Sequence, residues 1–362
     1  MILKEVHTKG DIQAFYRIPE EIYKVNGYYR ASEYDITRLL VEGPSAFRQH
    51  ATIHSYLILQ KEKVAGRFTL IRDQKLPEYV QVSFFEAQPG LPGIAGQILE
   101  KARALFPGCK KIVVGLNGHL NYGAGMLASN FIEAPVFGLP YNYEYYPDYF
   151  RDFRKIPLVS YKFPLDPFVD YHRRMSADQD FKGITVRKLN KGKLRQDIEI
   201  YTYLNNACFS GHPFWAERSV EEDFELFYPF RFLIREENLL FAEKDGKPIG
   251  FLLWYPDFNQ LLKGHQHLGI RHVIKHLLTR SIDTFRLTEI AVLPEHIRSC
   301  AVQAMILTAI PYIGKNGIRY GEGGFIFEEN TGSINMTRRF LERATGLRME
   351  PHRHYCLFEG PL

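Results

Sequence analysis

The chain has 362 residues and a net charge of +5, from 46 Lys and Arg against 41 Asp and Glu. An apolar share of 45% and a charged share of 24% are ordinary for a globular protein, and the length suits two or three domains. Basic residues are scattered and no apolar stretch approaches about 18 residues, so neither nucleic acid nor a membrane is the expected partner; an anionic small ligand is compatible. Cys109, Cys208, Cys300 and Cys356 show no CxxC spacing, which argues against a disulfide framework or structural zinc. The opening MILKEVHTKGD has no apolar leader pattern, and the reading is a cytoplasmic, bacterial-type protein. The 27 Phe and 22 Tyr predict large aromatic cores or a ring-lined pocket between domains.

In chain order, residues 1–50 read as a strand and a helix, with Phe15, Ile18, Ile22 and Tyr23 at helical spacing. Residues 56–71 read as a hairpin around Lys61-Glu62-Lys63. A strand (Val80–Glu86), a helix (Gly93–Phe106) and a strand (Lys111–Leu116) follow. A long polar and aromatic segment then leads to a strand at Pro157–Phe163. Residues 166–183 are the candidate linker, with few large aliphatic side chains. The second half opens with a strand (Ile184–Leu189) and a helix carrying Ile198, Ile200, Tyr201 and Leu204. Residues 239–255 form a hairpin around Asp245-Gly246, a strong turn signal. Then come a strand (Phe285–Val292), a helix (Cys300–Ile313), a strand (Gly317–Gly321), a helix (Ile334–Ala344) and a strand (His354–Gly360).

The same order thus occurs twice. Gly66 and Gly250 take the same place in the two hairpins, and Phe85 aligns with Val292. An insertion at about 258–283 separates the second hairpin from its following strand. The repeat is too long for a solenoid, so it is a duplicated unit. The fold class is α/β with a mixed (α+β) sheet, in two tandem domains at 1–165 and 184–362.

The stretch LTEIAVLPEHIRSCAVQAMIL resembles the acyl-CoA-binding segment of the GNAT superfamily of acyltransferases. In that family a V-x-P turn precedes a loop of pattern [QR]-x-x-G-x-[GA] that opens a helix. Val292-Leu293-Pro294 fits the turn and Arg298-Ser299-Cys300-Ala301 fits the arginine and spacing, with Ala301 in place of glycine and one extra residue after Pro294. In the first half, Gly90-Leu91-Pro92-Gly93-Ile94-Ala95 keeps the G-x-[GA] end but has glycine where Gln or Arg is expected. Glu289 stands where some members carry a carboxylate near the reacting amine, and Asn330 and Ser333 match the family's N-x-x-[SA] segment.

The resemblance covers nearly the whole chain as a tandem pair of GNAT-like domains. It implies an acyl-CoA-dependent N-acyltransferase, with acetyl-CoA or another acyl-CoA as co-substrate, no metal, and an amine of a small molecule or peptide as acceptor. It implies Glu289 as base and Tyr149 as acid. Val292, Arg298, Ser299, Ala301 and Asn330, or Gly93 and Ala95 of the first half, would hold the CoA. Asn117, His119, Asn121, Tyr145 and Tyr146 cluster beyond a strand end and form the expected acceptor pocket, or else a turn with tyrosines packed on it. Two alternatives stand beside this reading: a Fem-type aminoacyltransferase, also a tandem GNAT fold, and a binding protein in which both sites have decayed.

Two further patterns have plain readings. His265, His267, His272 and His276 in the insertion fit a solvated helix face, Arg271, His272, Lys275, His276 and Arg280 opposing Ile270, Val273, Ile274, Leu277 and Leu278, better than a metal site. Cys208 near His212 reads as a buried thiol rather than a nucleophile.

Overall fold

The computed structural model describes residues 1–175, 181–279, 281–315 and 317–362. The first half runs β1 (Ile2–Glu5), α1 (Lys9–Ile22), α2 (Tyr34–Val41), β2 (Ala51–Gln60), β3 (Lys63–Asp73), β4 (Tyr79–Ala87), α3 (Ile94–Leu105), β5 (Lys111–Val114), β6 (Met126–Leu127) and β7 (Arg154–Pro164). The helix α4 (Asp166–Met175) leads into the second half. There follow β8 (Ile184–Lys188), α5 (Leu194–Phe209), α6 (Val220–Phe230), β9 (Leu239–Lys244), β10 (Lys247–Pro256), α7 (Ile270–Leu278), β11 (Thr284–Val292), α8 (Ala301–Lys315), β12 (Tyr320–Phe327), α9 (Thr331–Thr345) and β13 (Arg353–Pro361).

Local chemistry accounts for the repeated hairpins. Asp245 and Gly246 both have positive φ, and so do Lys61 and Glu62, which is the backbone that two-residue hairpin turns require. Gly66 and Gly250 sit where the next strand comes closest. A Cβ on Gly66 would lie 2.5 Å from the Glu86 carbonyl, and one on Gly250 would lie 2.7 Å from that of Ala291. Register pairs Gly66 with Ala87 and Gly250 with Val292, so Ala87, not Phe85, is the counterpart of Val292. The expected alignment slipped because the strand after each hairpin carries a bulge, β4 at Phe84-Phe85 opposite Phe68 and β11 at Thr288 between the partners of Leu253 and Trp254, and the two bulges stand at different distances from the glycine.

The thirteen described strands form one sheet, in the order β1-β2-β3-β4-β5-β13-β7-β12-β11-β10-β9-β8, with β6 paired to β13. Read inwards from either edge, the order is the same: antiparallel strands, then a parallel pair (β4 with β5, β11 with β12). At the centre the last strand of each half crosses over. β13 pairs with β5 and β7, while β7 pairs with β12 and β13, all antiparallel. Leu158, Tyr355 and Leu357 at this junction are fully buried. The two halves therefore share a sheet, and each is completed by the other's final strand.

Of the expected linker, residues 166–175 form α4, whose Phe168 is buried in the second half's core, and 176–180 lie outside the described residues. The insertion helix α7 differs from its expected orientation. Ile270, Ile274 and Leu278 are exposed, while the His276 ring packs edge-on to Phe258 at 5.5 Å. The neighbouring loop turns inward, so the His265 ring lies tilted against Tyr29 at 5.3 Å and the His267 ring stacks on Tyr34 at 3.7 Å. The Leu277 side chain and Arg280 lie outside the described residues. Among the described residues no helix is long and apolar enough to cross a membrane.

Because β13 holds both halves, Leu357→Ala should loosen both. We expect a loss of about 2–5 kcal/mol and faster amide exchange in β5 of the first half as well as in β13 of the second. Faster exchange confined to the second half would contradict the shared-strand arrangement.

Candidate active site

The site starts from a parallel ladder that stops. β11 and β12 pair from Thr284–Tyr320 to Leu287–Gly323 and no further. Thr288 is the extra residue of the β11 bulge, and Gly324, with φ 148°, turns β12 away. Beyond this point the strands diverge, and a cavity of about 600 Å³ opens between them. That volume falls in the range of small-ligand sites, about 300–1,000 Å³.

Glu289 lines the cavity just past the bulge. Its Oε2 accepts hydrogen bonds from the Tyr201 hydroxyl at 2.8 Å and from Asn205 Nδ2 at 2.7 Å, both on α5. Burial raises its pKa to about 7, against the partial opposition of these two bonds. That places a carboxyl near the ideal for proton transfer at neutral pH. Asn121 of the first half extends the chain of bonds, donating to the Tyr201 hydroxyl at 3.4 Å.

At the other end of the cavity lies the start of α8. Ile297, Ser299, Cys300, Val302 and Gln303 line it. Ser299 Oγ accepts from the Ala301 N–H at 3.3 Å, while the N–H groups of Cys300, Val302 and Gln303 have no intramolecular acceptor among the described residues. Such free donors at a helix N-terminus form a ready anion site. Arg298 is exposed beside them. Ala301, which replaces the family's glycine, is fully buried, so its methyl group points into the core rather than at a ligand. Asn330 and Ser333 line the cavity at the start of α9, where Asn330 Oδ1 caps the Ser333 N–H at 3.0 Å.

The corresponding gap in the first half is filled. The β4–β5 ladder stops at Val82–Val114, and side chains then take the free backbone groups. Asn117 Oδ1 accepts from the Phe84 N–H at 3.0 Å, and the Tyr146 hydroxyl accepts from the Ala87 N–H at 3.1 Å. The Tyr145 hydroxyl donates to the Ala87 carbonyl, and Tyr149 donates to the Gln88 carbonyl. Tyr146 and Tyr23 also bond Glu86, a buried carboxyl whose pKa burial raises.

Of the expected acceptor pocket, Asn121 alone lines this cavity. Tyr145 and Tyr146 plug the first-half gap, and Asn117 closes it. His119 is a buried turn residue, accepting from the Asn121 N–H and bonded through Nε2 to the Ala216 carbonyl at 2.9 Å; burial holds it neutral. Tyr149 stands in the first half and does not share the cavity with Glu289. Val292 lies beside it on β11 without lining it. Gly93, with φ 75°, and Ala95 begin α3, and neither lines this cavity. Sequence reasoning missed Tyr201, which read only as helix periodicity, and Asn205, together with Glu33 and Trp215. Glu33 reaches the cavity from the first half with its pKa raised by burial to about 7. Cys208 is held protonated, its thiol pushed up to about 12 by burial. Among the described residues no group of three or more His, Cys, Asp or Glu side chains is arranged to hold a metal ion.

The structure superimposes on a tandem GNAT protein from the clavulanic acid biosynthesis pathway with a TM-score of 0.57, over 99% of this chain and 98% of that one, at 13% identity. The chain has the tandem GNAT fold. A GCN5-related N-acetyltransferase from Sphaerobacter thermophilus matches with a TM-score of 0.51 over 99% of this chain and 95% of that one, also at 13% identity. In sequence, the chain is 21% identical to Protein YghO of Escherichia coli K12 across 97% of its own length and 93% of that protein's. No family model matches.

The raised pKa of Glu289 has a cost to stability. Below its unfolded value of about 4.5 the carboxyl is neutral in both states. As pH rises from there to about 7, the unfolded chain releases the proton first and folding loses ground. Glu289→Gln should therefore stabilise the protein at pH 8 by up to about 3 kcal/mol and not at pH 4, read as the difference in Tm. Equal Tm differences at both pH values would contradict a buried, proton-holding Glu289.

Proposed function

We propose that the second half binds an acyl-CoA and transfers its acyl group to an amine that enters from the side of the first half. The observation that carries this is one cavity with three features in line: free N–H groups at the start of α8, unpaired strand edges past Leu287 and Gly323, and Glu289. The fold supports the same reading, since that arrangement is where the resemblance places the co-substrate.

The α8 N–H groups and Arg298 would hold the pyrophosphate, because a helix start favours negative charge. Asn330 and Ser333 flank the arm that leads inwards. The CoA thioester supplies an activated acyl carbon. The backbone of β11 beyond its ladder offers N–H groups to the acyl carbonyl oxygen, fixed in place before the reaction. Glu289 takes a proton from the ammonium of the acceptor, with Tyr201 and Asn205 holding the carboxylate in position. Glu33 and Asp35, which also line the cavity, give its first-half wall a negative character that favours a cationic amine. The first half contributes this wall and no second CoA site, since its own gap is filled by Asn117, Tyr145 and Tyr146.

Glu289→Gln should lower kcat/KM by roughly 10²–10⁴-fold while CoA still binds, and the wild-type rate should rise with pH through about 7, where Glu289 loses its proton. Arg298→Glu should abolish CoA binding measured by calorimetry, and Ala95→Glu at the start of α3 should leave it intact. The opposite pattern would move the site to the first half.

A further inference from the structure

The cavity does not end at the strand gap: Phe285 and Leu287, inside the paired ladder, line it as well. It follows α8 from Val302 to Ile313, a length of about 16 Å at 1.5 Å per residue. The inner stretch is bounded by Phe163, Phe285, Ile306, Ile310, Ile313 and Phe340, and Arg343, exposed on α9, marks where it approaches solvent. The arm of CoA would start beside Val302, and an acetyl group, with a single methyl beyond its carbonyl, would leave the inner stretch from Ile306 to Ile313 unfilled.

The chain itself supplies a comparison. By register, Ile112 and Val114 of β5 hold the places that Gly321 and Gly323 hold in β12. Ile112 and Val114 are fully buried and fill the space beneath the first half's sheet. In the second half both side chains are missing. At Gly321 the rings of Phe163 and Phe285 close in, each 2.5 Å from where a Cβ would stand. At Gly323 a Cβ would meet the Leu287 Cβ alone, at an ordinary contact distance of 3.9 Å, and the position lines the cavity. Protein interiors are otherwise close-packed, and an apolar void costs stability in proportion to its volume. Its retention in one half only points to an occupant.

Resting on the acyl-CoA reading above, we propose that the transferred group is a medium- or long-chain fatty acyl, its tail lying in the cavity between β12, α8 and α9. The transfer is the one already described. The acyl carbon forms a bond to the amine nitrogen and its bond to sulfur breaks. The ammonium gives one proton to Glu289 and one to the sulfur, and CoA leaves as the thiol.

The test is calorimetric binding of CoA, acetyl-CoA, octanoyl-CoA, dodecanoyl-CoA and free dodecanoate. Each methylene entering the cavity should tighten binding by about threefold to fourfold, so dodecanoyl-CoA should bind on the order of a hundredfold more tightly than octanoyl-CoA. Gly323→Val copies the first half and should remove this gain while leaving CoA and acetyl-CoA affinity unchanged. Ile313→Ala at the inner end should extend the preference to longer chains, which keeps the test open if the strand variant folds poorly. Equal affinity for all the thioesters would overturn the fatty-acyl assignment and leave the CoA reading standing. Binding of dodecanoate, sensitive to Gly323→Val, with no binding of any CoA species would support the chain site and overturn the CoA reading. Binding of none of the five would overturn both.

Discussion

Everything at the candidate site depends on two parallel strands that part. A parallel ladder satisfies the facing backbone groups of both strands, so ending it at Leu287 and Gly323 leaves polar edges that need a partner. The first half meets the same problem with side chains of its own, Asn117 and the tyrosines after Pro140. The second half leaves the gap open. The cavity, the exposure of Glu289 to it and the access to the start of α8 all follow from that difference.

The crossing of the last strands makes the difference usable. With β13 in the first half's edge and β7 in the second's, the two halves cannot move apart without breaking the centre of the sheet. First-half loops are tied to the rim of the cavity by specific bonds: Asp257 accepts from the Phe137 N–H at 2.7 Å, Asn259 donates to the Pro135 carbonyl, and Arg286 donates to the Phe137 carbonyl. Gly138, with φ 81°, makes room for Arg286, whose Nη1 would stand 2.3 Å from a Cβ there. A duplicated domain whose own gap has closed thus acts as a fixed wall for its partner.

Much of the fold was legible because its signals are local. Asp245-Gly246, the two strand glycines and the alternating apolar runs gave the repeat, and the spacing from Val292-Leu293-Pro294 back to Glu289 gave the carboxylate that the structure places in the cavity. The strand exchange was not legible, since β5 pairs with a strand from the far end of the chain and no short-range pattern marks that choice. Tyr145 and Tyr146 read as pocket residues because composition shows that a hydroxyl is present and not where it points; here each points at β4. Tyr201 was hidden in an ordinary helical pattern and Asn205 carried no signal of its own, and their role depends on a bulge that turns Glu289 towards α5. The glycines of β12 read as a strand end, and their meaning came only from comparison with Ile112 and Val114 across the repeat.

The central claim is that the open gap of the second half, and not the plugged gap of the first, takes the CoA moiety. Amide hydrogen exchange with and without added CoA tests this most directly. The account predicts slower exchange at residues 299–303 and 288–292, with residues 84–97 unchanged. Protection at residues 84–97, or at neither segment, would contradict it.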